Sequence, residues 1–272
     1  MKSILVPVDF SDAANTAARY AAALANDFSA KIHLLNVFHI PNPLQTLPLE
    51  LVVTMDELED ATHSQLKKLG EQLYPLLNDT SLLTFSSRNG NSTKEILDHG
   101  TFIHADLIVM GTKGSGMIRD KLIGSTSEAI VRHSNLPTLL VPEQCLFSPI
   151  HTAVYAVSDP NVCTDKESEI LHSLYRCYQT HFDIVHLPQQ NKPMEAEAII
   201  NRLETTLLGL PHDYHFPIAE DVAKGIEAYT HVNPIDLLIL TKHFHNYFGR
   251  LRGNDTVQKI IRNSNTPVLC FH

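Results

Sequence analysis

The chain has 272 residues, about twice the size of a common α/β domain, so two domains are expected. A hydrophobic content of 43% with 19% charged residues excludes a largely disordered chain. Lys plus Arg number 21 against 30 Asp plus Glu, a net charge of −9 shared by both halves, which argues against a protein that tracks nucleic acid by charge.

Met1 to Val8 holds one Lys and a short apolar run broken by Pro7, so it lacks a signal-peptide core. No apolar stretch reaches the ~18–20 residues a membrane helix needs. Cys145, Cys163, Cys177 and Cys270 form no CxxC pair, which suits a reducing compartment and a cytoplasmic address.

Ser3 to Val8 reads as a strand buried on both faces. Ser11 or Asp12 caps a helix running to about Phe28, with Ala17, Tyr20, Ala21, Leu24 and Phe28 on one stripe. Lys31 to Val37 is a second buried strand. The stretch holding Pro41, Pro43 and Pro48 fits neither helix nor central strand. Helical spacing returns from Leu58 to about Tyr74, followed by a strand over Leu82 to Ser86 and a helix over Ser92 to Phe102. Leu107 to Met110, Ser125 to His133 and Thr138 to Val141 complete a strand, a helix and a fifth strand. Strands alternating with helices imply a parallel sheet.

A shift of 130 positions lays Asp106-Leu107-Ile108-Val109 on Asp236-Leu237-Leu238-Ile239. The same shift lays Arg132 to Pro137 on Arg262 to Pro267. Nine of 36 ungapped positions are identical. Thr152 to Val157 and Phe182 to Leu187 match the first two strands. The fold class is therefore α/β, as two tandem five-stranded parallel-sheet domains, residues 1–145 and 150–272, with a linker near Gln144 to His151. The fifth strands, Thr138 to Val141 and Pro267 to Phe271, read as open edges that need pairing.

Four of the 11 glycines, Gly111, Gly114, Gly116 and Gly124, follow the fourth strand, and Gly124-Ser125-Thr126-Ser127 opens the next helix. Ligands of open parallel sheets bind beyond the carboxyl ends of the strands. A glycine loop with a helix N-terminus there makes a phosphate site, with Ser125, Thr126 and Ser127 as hydroxyl donors and Asp9 in the same crevice. The same glycines would also serve a tight strand-to-helix connection. Lys113 reads either as a mobile charge for phosphate or as a solvated loop lysine.

The spacing Gly-x2-Gly-x9-Gly-Ser (Gly111, Gly114, Gly124, Ser125) resembles the nucleotide signature of the universal stress protein family. Ile4 to Asp9, Asn36-Val37, Ala105 to Gly111 and Ser134 to Pro142 agree with it. The resemblance implies an adenine nucleotide alpha hydrolase-like fold, packed as an intramolecular pseudo-dimer, and a stress-response role. It implies ATP as ligand, possibly with Mg2+, with Pro7, Asp9 and Val37 around adenine and ribose. Met110 and Gly111 would begin the phosphate loop, and Gly114, Gly124, Ser125, Thr126 and Ser127 would hold the phosphates. In the second copy Thr241, Phe244, Asn254 and Asp255 replace Gly111, Gly114, Gly124 and Ser125, so that copy is expected not to bind ATP in this manner.

No general base or nucleophile stands beside the motif except Glu128, which also reads as an exposed helix residue. The expectation is a nucleotide-dependent regulator or adaptor with an unidentified protein partner, not an enzyme beyond a slow ATPase. A nucleotide-free scaffold is the other reading, and a homodimer is compatible with either. Ten of the 16 histidines lie from His151 onward. His212 and His215 are three apart, and His243 and His245 flank Phe244. Scattered imidazoles are expected rather than a metal site, since zinc needs three or four converging ligands.

Overall fold

The computed structural model describes residues 1–39, 55–112, 123–157, 164–187, 194–219, 221–241 and 255–271. In the first half, strands β1 (Ser3–Pro7), β2 (Lys31–Phe38), β3 (Leu83–Asn89), β4 (Leu107–Gly111) and β5 (Thr138–Val141) alternate with helices α1 (Asp12–Phe28), α2 (Met55–Leu73), α3 (Ser92–Phe102) and α4 (Ser125–His133). The second half repeats the plan. Its strands are β6 (Thr152–Ala156), β7 (His181–Val185), β8 (His212–His215), β9 (Leu237–Leu240) and β10 (Val268–Cys270). Its helices are α5 (Asp165–Tyr178), α6 (Met194–Thr206), α7 (Val222–Val232) and α8 (Asp255–Asn263).

All ten strands form one sheet in the order β3-β2-β1-β4-β5-β10-β9-β6-β7-β8. Pairing is parallel within each half. The two fifth strands meet antiparallel, with Leu140 opposite Val268 and Leu139 opposite Leu269, so each open edge closes the other. The halves form the expected intramolecular pair. Side chains of α1, α2, α5 and α6 cover one face of the sheet. Those of α3, α4, α7 and α8 cover the other. Ile4, Leu5 and Val6 have no exposed surface because β1 has neighbours on both sides and helices on both faces.

The 130-residue repeat extends to single hydrogen bonds. Asp106 Oδ2 accepts from the Lys2 and Ser3 backbone N–H groups, and Asp236 Oδ2 from those of His151 and Thr152, so each carboxylate anchors the first strand of its half. Ser134 and Ser264 each make a turn, donating to the carbonyl two residues on and accepting from that residue's N–H. At the far end of β1, Asn36 Nδ2 donates to the Val8 carbonyl at 2.7 Å. His186 Nδ1 makes the matching bond to the Val157 carbonyl at 2.8 Å. One histidine of the surplus thus does the work of an amide.

Two boundaries differ from the sequence expectation. Helix α2 begins three residues before Leu58, at Met55. Thr80–Leu82 form a 3-10 turn, so β3 starts at Leu83 and runs on to Asn89. Asp79 causes the shift, because its carboxylate accepts from the Ser81 N–H and hydroxyl and holds the chain in a turn. The proline-rich stretch lies outside the described residues. No helix among the described residues is long and apolar enough to cross a membrane.

Candidate nucleotide site

In the order β3-β2-β1-β4-β5, β1 connects toward one side of the sheet and β4 and β5 lie on the other, so the crevice falls between the carboxyl ends of β1 and β4. Parallel pairing of Ile4 with Leu107 and Leu5 with Ile108 sets the segment after Pro7 beside the segment after Gly111. Pro7 is the last residue of β1, where the absent N–H costs the sheet little. Asp9 follows, exposed, and its Oδ1 accepts from the Ser11 N–H at 3.1 Å and the Ser11 hydroxyl at 2.6 Å. Ser11 in turn caps α1 by accepting from the Ala14 N–H. Between them Phe10 sits at φ 63°, a left-handed conformation that a bulky residue adopts only when its surroundings enforce it.

Val37 lies half-buried at the end of β2, next to Asn36, which holds the β1 end in place. Met110 is buried in the core beneath α3 and α4. A Cβ added at Gly111 would lie 2.7 Å from the Ala13 carbonyl carbon and oxygen. That glycine is required by the approach of α1, whose buried stripe of Ala13, Ala14, Ala17, Ala18, Ala21 and Ala22 lets the helix sit close to the sheet.

Gly124 is the N-cap residue of α4 and offers no side chain to the first turn. Its N–H donates to the Thr112 carbonyl at 2.7 Å, which ties the helix start back to the end of β4. Ser125 is exposed and Thr126 half-buried, so both hydroxyls can reach a ligand. Ser127 is buried and donates to the Gly111 carbonyl at 2.8 Å. It braces the helix against β4, which departs from the phosphate contact expected for it. Lys113 and Gly114 lie outside the described residues. Glu128 is paired with Arg132 at 2.6 Å, so its carboxylate is engaged by a guanidinium one turn on.

Three residues at the site escaped the reading of sequence alone. Phe10 and Thr112 have no local signal. The role of Asn36 had one: it is the single amide inside an apolar strand, and a buried amide must find a partner.

Among the described residues, the second half differs at the positions that match the crevice. Thr241 replaces Gly111, and α5 is shorter at its start than α1. Aligning the helix ends, Ser29 with Gln179, gives an offset of 150, so Asp12 falls on position 162 while α5 begins at Asp165. The turn that presses on Gly111 has no described counterpart over Thr241. Phe244 and Asn254 lie outside the described residues, and α8 begins at Asp255.

The histidines singled out in the sequence fall on different parts of the second half. His212 and His215 sit on strand β8, where residues three apart point to opposite faces. His243 and His245 lie outside the described residues. His33 on β2 contacts Thr84 and Ser86 of β3, and its Nε2 lies 2.8 Å from His99 Nε2. Burial, then His99 and Arg88, lower the His33 pKa to about 4.

A parallel sheet covered by helices on both faces, doubled through an antiparallel seam, defines an α/β fold built twice in one chain. The sequence profile of the universal stress protein family matches residues 1–142, and the chain belongs to that family of stress-response proteins. Universal stress protein Slr1230 of Synechocystis is 24% identical over the full length of both chains. Universal stress protein MJ0531 of Methanocaldococcus jannaschii is 29% identical over 145 residues, covering 52% of this chain and 81% of that one. Among solved structures, a universal stress protein from Archaeoglobus fulgidus superposes with a TM-score of 0.74 at 16% identity, over 99% of this chain and 97% of that one. This last likeness establishes the tandem fold alone.

Proposed function

We propose that the first half binds ATP in the crevice between β1 and β4, and that the protein acts as a nucleotide-dependent regulator or adaptor. The observation that carries this reading is the start of α4. A glycine N-cap leaves its first-turn N–H groups without a side-chain cap, and the exposed Ser125 lies beside them at the sheet's switch point. The helix dipole favours an anion there. Asp9, exposed on the neighbouring strand end, is the group to accept from ribose hydroxyls, and Pro7 and Val37 line the approach. Gly111, Gly124, Thr126 and the loop with Lys113 and Gly114 would surround the phosphates, with Met110 beneath them. Ser127 would act by holding the helix. A divalent cation such as Mg2+ would ride on the phosphates.

Among the described residues the general-base candidate of α4, Glu128, is engaged by Arg132. Turnover slower than the ~1–1,000 per second of ordinary enzymes follows from that. A homodimer or a separate protein partner would read the nucleotide state, and the cytoplasm is the compartment that fits the thiols.

Titration calorimetry with ATP and Mg2+ tests the reading. One ATP per chain is expected, weakened at least tenfold by Gly114→Phe, which copies the second half, and by Asp9→Ala. Absence of ATP binding, two ATP per chain, or binding unchanged by both substitutions would overturn it.

A further inference from the structure

Strands β7 and β8 form the outer end of the second half, with β8 at the sheet's edge. Their register sets Asp183 directly opposite Asp213, both on the face covered by α7. Like charges paired across a ladder repel and need a cation between them. One imidazole bridges the pair and a second touches Asp183 alone. His181 Nε2 lies 3.1 Å from Asp213 Oδ2 and 3.6 Å from Asp183 Oδ1. His215 Nε2 lies 3.4 Å from the same Asp183 Oδ1, is shielded from solvent, and has no hydrogen-bond partner among the described residues.

Four ligands tetrahedrally placed about zinc at about 2.0–2.1 Å stand about 3.3–3.4 Å from one another. The two His181 separations, 3.1 and 3.6 Å, bracket that spacing. The ligand atoms of His181, Asp183 and Asp213 all lie within 4.8 Å of one another, as a shared ion requires, and His215 stands outside that group beside Asp183. One imidazole and two carboxylates are nitrogen and oxygen donors suited to zinc, with water to complete the shell, and the two negative charges match its two positive ones.

The surroundings orient the ligands. The Tyr229 hydroxyl donates to Asp183 Oδ2 at 3.2 Å, which leaves Oδ1 turned toward the imidazoles. The Tyr229 ring also lies against His215, with centroids 5.2 Å apart. Such outer contacts fix ring and carboxylate orientation around bound metals. Asp183 is mostly buried, with 16% of its side chain exposed, while Asp213 is 70% exposed and offers a path for the ion to enter.

We propose that His181, Asp183 and Asp213 form a zinc-binding site on the outer strands of the second half. It is independent of the nucleotide crevice, which uses none of these residues. The half that lost the glycine motif thus carries a site of its own.

The test is calorimetric titration of the untagged full-length protein with zinc chloride, paired with visible absorption after cobalt(II) substitution. The expected result is a zinc site whose affinity falls at least tenfold in His181→Ala and in Asp183→Asn, and cobalt bands that both variants lose. His212→Ala is the control, because its ring lies on the opposite face of β8, and it leaves zinc affinity unchanged. Circular dichroism without metal establishes that each variant folds. Should Asp183→Asn fail to fold, His181→Ala with Asp213→Asn carries the test. No zinc uptake by the parent protein, uptake unaltered in His181→Ala, or equal weakening by His212→Ala would overturn the proposal.

Discussion

Gly111→Ala separates two explanations for a glycine at the end of β4. If the residue is glycine only to admit a phosphate, an alanine leaves the ligand-free protein untouched. The structure requires otherwise, since the new Cβ would lie 2.7 Å from the backbone carbon and oxygen of Ala13 and 3.0 Å from its Cβ. Carbon atoms rest at about 3.5–4.0 Å, so α1 must retreat by about 0.8 Å or more. That helix is pinned by its Ser11 cap and its buried alanines, and overpacking of this kind costs about 1–3 kcal/mol. The upper end is expected because the obstacle is backbone, and about 3 kcal/mol corresponds to a melting point lower by about 6–12 °C. Thermal unfolding by circular dichroism without nucleotide is the assay. Ala13→Gly removes only the Cβ contact and is expected not to restore the loss. A Gly111→Ala protein melting within about 2 °C of the parent, or a full rescue by Ala13→Gly, would refute the packing argument.

Two further outcomes are expected. His33 is neutral in the folded chain down to about pH 4, mainly through burial, whereas an unfolded histidine protonates near 6.5. In that window the unfolded state binds more protons, so stability rises with pH from about 4 to 6.5. Ring NMR titration should give a His33 midpoint near 4, and His33→Gln should flatten the rise; an ordinary midpoint would contradict the structure. Separately, a protease site placed in the linker at 144–149 should cut the chain without separating the halves on gel filtration. The antiparallel joint holds them, together with Ile123, Val131, Val257 and Ile261 beside it. Leu269→Asp should let the cut halves part, and parting without that substitution would remove the joint's role.

The strands and their tandem repetition were legible because buried parallel strands read as unbroken apolar runs and because Asp106 and Asp236 sit 130 positions apart for one mechanical reason, anchoring a strand start. The crevice was legible in place, from glycines after a strand, but not in the duties of its members. A glycine that admits a helix and one that admits a phosphate look alike in sequence, so the packing demand at Gly111 emerged only with Ala13 in position. Ser127 stands third in its helix, and nothing in the letters says that its hydroxyl turns back to the Gly111 carbonyl. The zinc candidates were hidden for another reason. The short polar segment His212 to His215 has no apolar alternation to mark it as a strand, and its pairing with β7 depends on contacts across 30 residues.

The antiparallel seam between β5 and β10 has a directional consequence. Strands of the first half run opposite to those of the second, so the carboxyl ends of β1 and β4 open on one rim of the sheet and those of β6 and β9 on the other. The switch points of the two copies therefore lie on opposite rims of the sheet. Loss of the glycine motif in one copy leaves the geometry of the other untouched. Each rim was free to change under its own constraints, while the seam kept the two copies in a single folding unit.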